Sequence, residues 1–248
     1  MNGPEIDLSS IGAVVLDSDG VVTDTARVHA AAWKHVFDPF LRGRSAPFDV
    51  EADYRRHVDG RPRLDGLRAF LSSRGIDLAQ GAPDDEPGTP TVHGLGAAKD
   101  REFLTQIGKY GVAAFPSAVA LLHELRRRGS RTAAVTASVH GRRLIAGAGV
   151  EHLFDLVVDG YDATLMNLPG KPDPALFLEA CHRLDLPAAR AAVVESALPG
   201  LVAGRAGGFG LVVAVGPRER AAELRAHGAD VVVADLDELT VRGRVPVS

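Results

Sequence analysis

The sequence predicts an α/β fold, a parallel sheet flanked by helices and interrupted after its first strand by an all-helical insertion. Three observations carry this. An apolar run, Ala13-Val14-Val15-Leu16, ends abruptly in Asp17-Ser18-Asp19-Gly20, the pattern of a buried strand running into a polar loop. From about residue 115 onward, short apolar runs alternate with helical periodicity, which implies right-handed crossovers and a parallel sheet. Between the two lies a stretch with helical spacing only, far longer than an ordinary crossover. The expected division is a core domain of residues 1–25 and 113–248 around a helical domain of residues 26–112.

The elements follow in order. Ala26 to Phe40 reads as a helix with Val28, Ala31, Ala32 and His35 on one face, and Pro39 is expected to end or kink it. Arg42 to Asp59 is polar and irregular, with a short helix around Val50 to His57, and Gly60-Arg61-Pro62-Arg63 reads as a turn. Leu64 to Ser73 is a helix with Leu67, Phe70 and Leu71 inward, stopped near Gly75. Gln80 to Gly96 is rich in Pro, Gly and Asp and reads as a loop, followed by a helix from Ala97 to Lys109. Ala118, Leu121, Leu122 and Leu125 mark a helix whose closing Arg126-Arg127-Arg128-Gly129 suits a helix C-terminus. Strands are expected at 132–135, 156–158, 191–194, 211–215 and 231–233, with helices at 141–148, 173–184 and 198–206. No internal repeat or low-complexity tract is present.

Composition narrows the function class. The 248 residues are 46% hydrophobic and 24% charged, ordinary for a globular protein, and the formal net charge of −4 offers no basic face for nucleic acid. No run approaches the ~20 apolar residues of a membrane span, and Met1 to Ile11 lacks a signal-peptide pattern. The single cysteine, Cys181, cannot form an internal disulfide and reads as a small core residue in a helix. A cytoplasmic, monomeric protein without nucleic-acid or membrane partners is expected.

Open α/β sheets place their ligands where strand carboxyl ends converge. Four segments end strands, or directly follow them, with chemical groups. Asp17 and Asp19 form the first, where one carboxyl can serve as nucleophile or metal ligand while the other holds a proton. Thr136-Ala137-Ser138 offers hydroxyls and amides to a phosphate, although such residues also cap helices. Lys171 sits in the stiff turn Gly170-Lys171-Pro172-Asp173-Pro174, which equally describes a surface lysine. Glu195 ends the strand Ala191–Val194 and is followed by Ser196, and a surface charge is its plainer reading. Carboxylates with one lysine suit a hard divalent cation and a phosphoryl group.

With these residues in place the sequence resembles the haloacid dehalogenase superfamily, and within it the β-phosphoglucomutase-like branch of phosphomutases and hydrolases. The resemblance is carried by Asp17-Ser18-Asp19-Gly20-Val21, Thr136, Lys171 and Glu195 as its four motifs. Thr23-Asp24-Thr25, His29, Ala32-Trp33-Lys34, Val58-Asp59-Gly60-Arg61-Pro62-Arg63, Gly94-Leu95-Gly96 with Lys99, and Ala203-Gly204-Arg205-Ala206-Gly207 extend it from about residue 11 to 240. It implies a Rossmann-like core with the helical insertion as a cap that closes over the site. It implies Asp17 as the nucleophile that carries a transient aspartyl-phosphate and Asp19 as general acid/base. Thr136 and Lys171 would hold the transferring phosphoryl oxygens, and Mg²⁺ would sit on Asp17, the main-chain carbonyl of Asp19, Glu195 and Ser196. Arg63 with Ser138, Val139 and His140 would grip the non-reacting phosphate, and His29, Trp33 and Lys99 would lie on the cap side near the sugar or the hinge. Without the resemblance, Arg63 reads as a solvated charge, His29 as a packing histidine and Trp33 as cap core.

The sequence departs from the family pattern in three places. Ser196 stands where a second acidic residue is usual, and serine is a neutral, weaker ligand for Mg²⁺. Ala97-Ala98-Lys99-Asp100 replaces an Asn-Arg-Lys-Asn-like run, and Val139 and His140 replace a lysine and an asparagine. The expected activity is Mg²⁺-dependent phosphoryl transfer on a small phosphorylated sugar, β-glucose 1-phosphate to glucose 6-phosphate. A sugar-phosphate phosphatase is the second expectation, and a catalytically weakened homologue, on account of Ser196, the third.

Overall fold

The computed structural model describes residues 4–244. Six parallel strands form the main sheet: β2 (Ala13–Asp17), β3 (Arg131–Val135), β4 (Leu156–Val158), β5 (Ala191–Glu195), β6 (Leu211–Val215) and β7 (Val231–Val233). Their spatial order is β4-β3-β2-β5-β6-β7. The chain therefore builds outward from β2 to one side, returns to pair β5 with β2, and builds outward to the other. The direction reverses between β2 and β5, where a doubly wound sheet leaves a crevice at its carboxyl end.

The strands are apolar along their length because both faces are covered. Val14 and Leu16 of β2 face a layer that includes Ala118, Leu121, Leu122 and Leu125 of α4 (Pro116–Arg127). Ala13 and Val15 face the opposite layer, built on Phe177, Ala180 and Cys181 of α7 (Ala175–Arg183) and Leu201 and Ala203 of α8 (Leu198–Ala206). Cys181 is buried, and burial pushes its thiol up to about 11, so it is an inert packing group.

Between Thr25 and Gly111 every regular element is helical: α1 (Ala26–Leu41), one π-turn at Tyr54–Val58, α2 (Arg63–Ser73) and α3 (Val92–Tyr110). This segment has its own core of stacked aromatics, with Trp33 against Phe37 at 4.8 Å and Phe37 against Phe70 at 4.4 Å between ring centroids. A smaller cluster, Ala32, Phe103 and Ile107 with Leu144 of α5 (Gly141–Gly147), packs the helical segment against the sheet domain.

Several elements differ from the sequence reading. α3 starts at Val92 rather than Ala97, capped by Thr91, whose hydroxyl accepts from the Gly94 amide at 3.0 Å. Gly94 and Gly96 suggest a loop but are packing glycines, since a Cβ on Gly94 would fall 2.4 Å from the Thr89 carbonyl oxygen. Pro39 lies inside α1, which runs to Leu41; its missing N–H falls in the last turn, where little helix remains to lose. Two short helices were not expected, α6 (Gly160–Met166) and α9 (Ala221–Ala226). Nor was a small parallel sheet of β1 (Glu5–Asp7) with β8 (Thr240–Arg242).

Candidate active site

The crevice at the β2/β5 switch point opens into a cavity of about 630 Å³ between the sheet and the helical segment. Asp17 ends β2 and Glu195 ends β5, so the two carboxylates reach the same point because their strands are neighbours. Lys171, from the turn before α7, lies between them with its ammonium 2.5 Å from Asp17 Oδ1 and 2.5 Å from Glu195 Oε1. All three are buried, and Lys171 also lies over the Phe177 ring at 4.7 Å. A lysine enclosed this way would lose its charge to desolvation, but the two carboxylates more than offset that and hold it firmly protonated.

The other oxygen of Glu195 accepts the amides of Ser196 and Ala197, each at 2.6 Å. The carboxylate lies against the first turn of α8, where Gly200 makes room, since a Cβ there would fall 1.8 Å from Glu195 Oε1. Burial and the charge of Glu195 push the Asp17 carboxyl well above its ordinary range, with Lys171 acting in the opposite direction.

Asp19 is held differently. Its Oδ2 accepts the Thr136 hydroxyl at 2.7 Å and its Oδ1 accepts the Thr25 hydroxyl. His29 Nε2 lies 3.4 Å from Oδ1, too poorly aligned for a hydrogen bond. Burial alone would raise the Asp19 carboxyl; the facing imidazole and the two hydroxyls reverse this and keep it ionised, well below the usual carboxylate range. His29 stacks on Phe103 at 4.0 Å, and its Nδ1 is 2.6 Å from the ammonium of Lys99, which assigns the ring proton to Nε2, facing Asp19. Lys99 is buried against Trp33 and Phe103, and desolvation with the nearby Arg63 pulls its amine down to about 7.

The far wall of the cavity carries Arg63, Ser138, Val139 and His140, with Asp100 among them. Arg63 opens α2, Asp100 lies on α3, and His140 precedes α5. One oxygen of Asp100 pairs with both Arg63 and His140, the latter at 3.0 Å. Ser138 donates its amide to Thr136 Oγ1 at 3.0 Å, which ties this loop to the Asp19 side of the site. Val139 is exposed and offers only its backbone and an apolar surface. The structure thus brings Asp17, Asp19, Thr136, Lys171, Glu195 and Ser196 together through direct contacts, with Asp17 and Asp19 lining the cavity. Arg63, Ser138, Val139 and His140 line it as well, with His29, Trp33 and Lys99 along the helical side.

Two residues were not singled out by sequence. Asp59 lines the cavity, and burial, then Glu195 and Asp19, raise its carboxyl to about 7. It stands in the Val58–Arg63 stretch that carries the resemblance but was given no role of its own; beside it Gly60, with positive φ, lets the turn approach Ala197 so closely that a Cβ on Gly60 would fall 2.8 Å from the Ala197 Cβ. Tyr54, buried beneath it, was the other.

Among the described residues no three His, Cys, Asp or Glu side chains group as a metal site. The donor set the resemblance implies would escape such a grouping, because it includes the Asp19 main-chain carbonyl and the Ser196 hydroxyl. The Ser196 hydroxyl donates to the Asp19 carbonyl oxygen at 3.3 Å, so the two oxygens sit side by side. Gly20, at φ +84°, keeps that spot open, since a Cβ there would fall 2.8 Å from Ser196 Oγ. Three carboxylates against one lysine also leave excess negative charge, so these residues fit a hard divalent cation.

A family model described as haloacid dehalogenase-like hydrolase matches residues 11–208. The chain belongs to the haloacid dehalogenase-like hydrolases. It is an enzyme of that family, with the parallel sheet of the family's solved structures. It is 40% identical to a β-phosphoglucomutase of Mycobacterium bovis, over 96% of this chain and 97% of that one. It is 29% identical to the β-phosphoglucomutase of Bacillus subtilis over 92% of both. A crystal structure of β-phosphoglucomutase from Clostridium difficile shares the fold, at a TM-score of 0.74, 20% identity and 93% coverage of each chain.

Proposed function

We propose that this haloacid dehalogenase-like enzyme interconverts β-glucose 1-phosphate and glucose 6-phosphate through a phosphate carried on Asp17. The observation that supports it most is a single cavity lined both by Asp17 and Asp19, the first of them paired with Lys171, and by a separate cluster of Arg63 and His140 around Asp100. The 40% identity to a β-phosphoglucomutase over nearly the whole of both chains points the same way.

Asp17 begins phosphorylated, and the sugar C6 hydroxyl attacks its phosphorus while the bond to the Asp17 oxygen breaks. Asp19, ionised in this structure, takes the proton of that hydroxyl as a base. The bisphosphate reorients, and Asp17 attacks the C1 phosphate; the bond to the sugar oxygen breaks and protonated Asp19 returns the proton to that oxygen. Lys171 holds the phosphoryl oxygens and balances Asp17, while Thr136 keeps Asp19 in line. The helical segment acts as a cap that excludes water. Asp17, the Asp19 carbonyl, Glu195 and Ser196 would hold Mg²⁺, with Glu195 also paired to Lys171. When bound, the cation lowers the charge repulsion between the phosphoryl group and the carboxylates.

Purified enzyme with Mg²⁺ and a glucose 1,6-bisphosphate primer is expected to form glucose 6-phosphate from β-glucose 1-phosphate, and Asp17→Asn to lose at least ~10³-fold of that rate. Failure of the wild-type conversion rejects the mutase reading. Phosphate release without isomerisation would establish the second reading, a sugar-phosphate phosphatase. That reading is favoured by one observation: the far-end arginine is already paired within the protein. For the metal, Ser196→Asp is expected to tighten Mg²⁺ binding by about tenfold in a calorimetric titration, since a carboxylate replaces a neutral hydroxyl. Unchanged affinity would remove Ser196 from the metal site.

A further inference from the structure

The far end of the cavity contains a carboxylate where the proposed function needs a phosphate. Asp100 Oδ1 pairs with Arg63 and, at 3.0 Å, with His140. Arg63 and Asp100 come from the helical segment and His140 from the sheet domain, so this one oxygen bridges the two walls of the cavity. The groups are partly enclosed, with side-chain exposures of 33% for Arg63, 26% for Asp100 and 21% for His140. This is the arrangement an anion held between an arginine and an imidazole adopts.

We propose that Asp100 sets specificity at the far end of the cavity, its carboxylate occupying the Arg63–His140 anion site so that a second phosphate must displace it. The inference rests on the reading that this end receives the non-reacting phosphate.

The charge balance carries the argument. Without Asp100, this end would present Arg63 unpaired beside His140, a site that suits a phosphate. With Asp100 in place Arg63 is already balanced, and adding a dianion leaves a surplus of negative charge unless the carboxylate swings away. The pairing also joins the helical segment to the sheet domain without any ligand, a bridge that a phosphate arriving at this end has to take over. Any sugar phosphate whose non-reacting phosphate reaches this end, monophosphate or bisphosphate, therefore binds only after the Asp100 carboxylate has swung away. Binding that must first break an internal pairing is weakened by the fraction of molecules in which the site is free.

The test separates this from a role in which Asp100 merely steadies Arg63. Asp17→Asn protein, which cannot be phosphorylated, is titrated calorimetrically with glucose 1,6-bisphosphate at fixed Mg²⁺, beside Asp17→Asn/Asp100→Asn. The second protein is expected to bind about tenfold more tightly, and adding Arg63→Met is expected to cancel the gain. Asparagine is close to isosteric at this partly exposed position; Asp100→Ser, shorter and also neutral, is expected to show a gain of the same sign. Equal or weaker binding after Asp100→Asn overturns the proposal, because a steadying partner would be missed rather than relieved. If neither the single nor the double variant binds the bisphosphate, the proposed function itself fails at the far end of the cavity and this inference falls with it.

Discussion

Asp17 and Lys99 show two ways a residue comes to line the candidate site, and only the first is visible in a sequence. Asp17 stands at the end of an apolar strand, so its place at the crevice follows from local pattern alone. Lys99 lies on a helix with no local mark. Its buried, amine-down state arises from Trp33, Phe103, His29 and Arg63, which tertiary packing brings to it. Only a resemblance to relatives could single it out. Its energetics can be checked. The folded-state amine sits at about 7, against an ordinary value near 10.4, so between those pH values the unfolded chain binds more protons than the folded one. Stability contributed through Lys99 therefore rises with pH across that window and is lowest below pH 7. Against Lys99→Met, which carries no such proton, the wild type should gain on the order of 3 kcal/mol between pH 7 and 9.5 in urea unfolding. Parallel curves for the two proteins would show that the amine is solvated rather than buried.

At the scale of elements, short apolar runs between turn residues located all six strands of the main sheet, because a strand covered on both faces has to be apolar throughout. The helices were harder to bound. α3 was read five residues short because Gly94 and Gly96 carry a loop signature, whereas they are small for packing reasons. α6 escaped notice because only Gly160 of its seven residues is buried, leaving no amphipathic stripe to read. The same physics separates two glycines of α3. Gly94→Ala would drive a methyl to 2.4 Å from the Thr89 carbonyl oxygen, so the cap loop must move, and a loss of about 1–3 kcal/mol is expected. Gly108→Ala meets nothing within 4 Å and only removes backbone freedom, so a gain of up to about 1 kcal/mol is expected. Thermal unfolding of the two variants should bracket the wild type. Two shifts in the same direction would mean that the glycines share a role the packing does not reveal.

For the whole molecule, a strand followed by about ninety residues with helical spacing only matches the elements seen, since every regular element between Thr25 and Gly111 is helical. The closing of the molecule on itself was not legible in the sequence. β1 and β8 are three-residue strands more than two hundred positions apart, each too short to carry a periodicity, and their pairing is a fact of topology alone. It matters because Ile6 and Leu8 of the first strand region and Val241 of the last are buried in the same layer as α4 and β2, beneath the strand that delivers Asp17. The β8 backbone also receives the Leu8 amide at 2.9 Å through the Arg242 carbonyl. Removing residues 240–248 takes away that edge and uncovers Ile6 and Leu8, whose exposure costs about 1.5–3 kcal/mol each. The truncated protein should release its first twelve residues to protease at concentrations of denaturant that leave the helical segment folded, since that segment rests on a separate aromatic core. Simultaneous loss of both regions would mean instead that the β1–β8 clasp and the helical segment unfold as one cooperative unit, joined through Leu144 and Phe103.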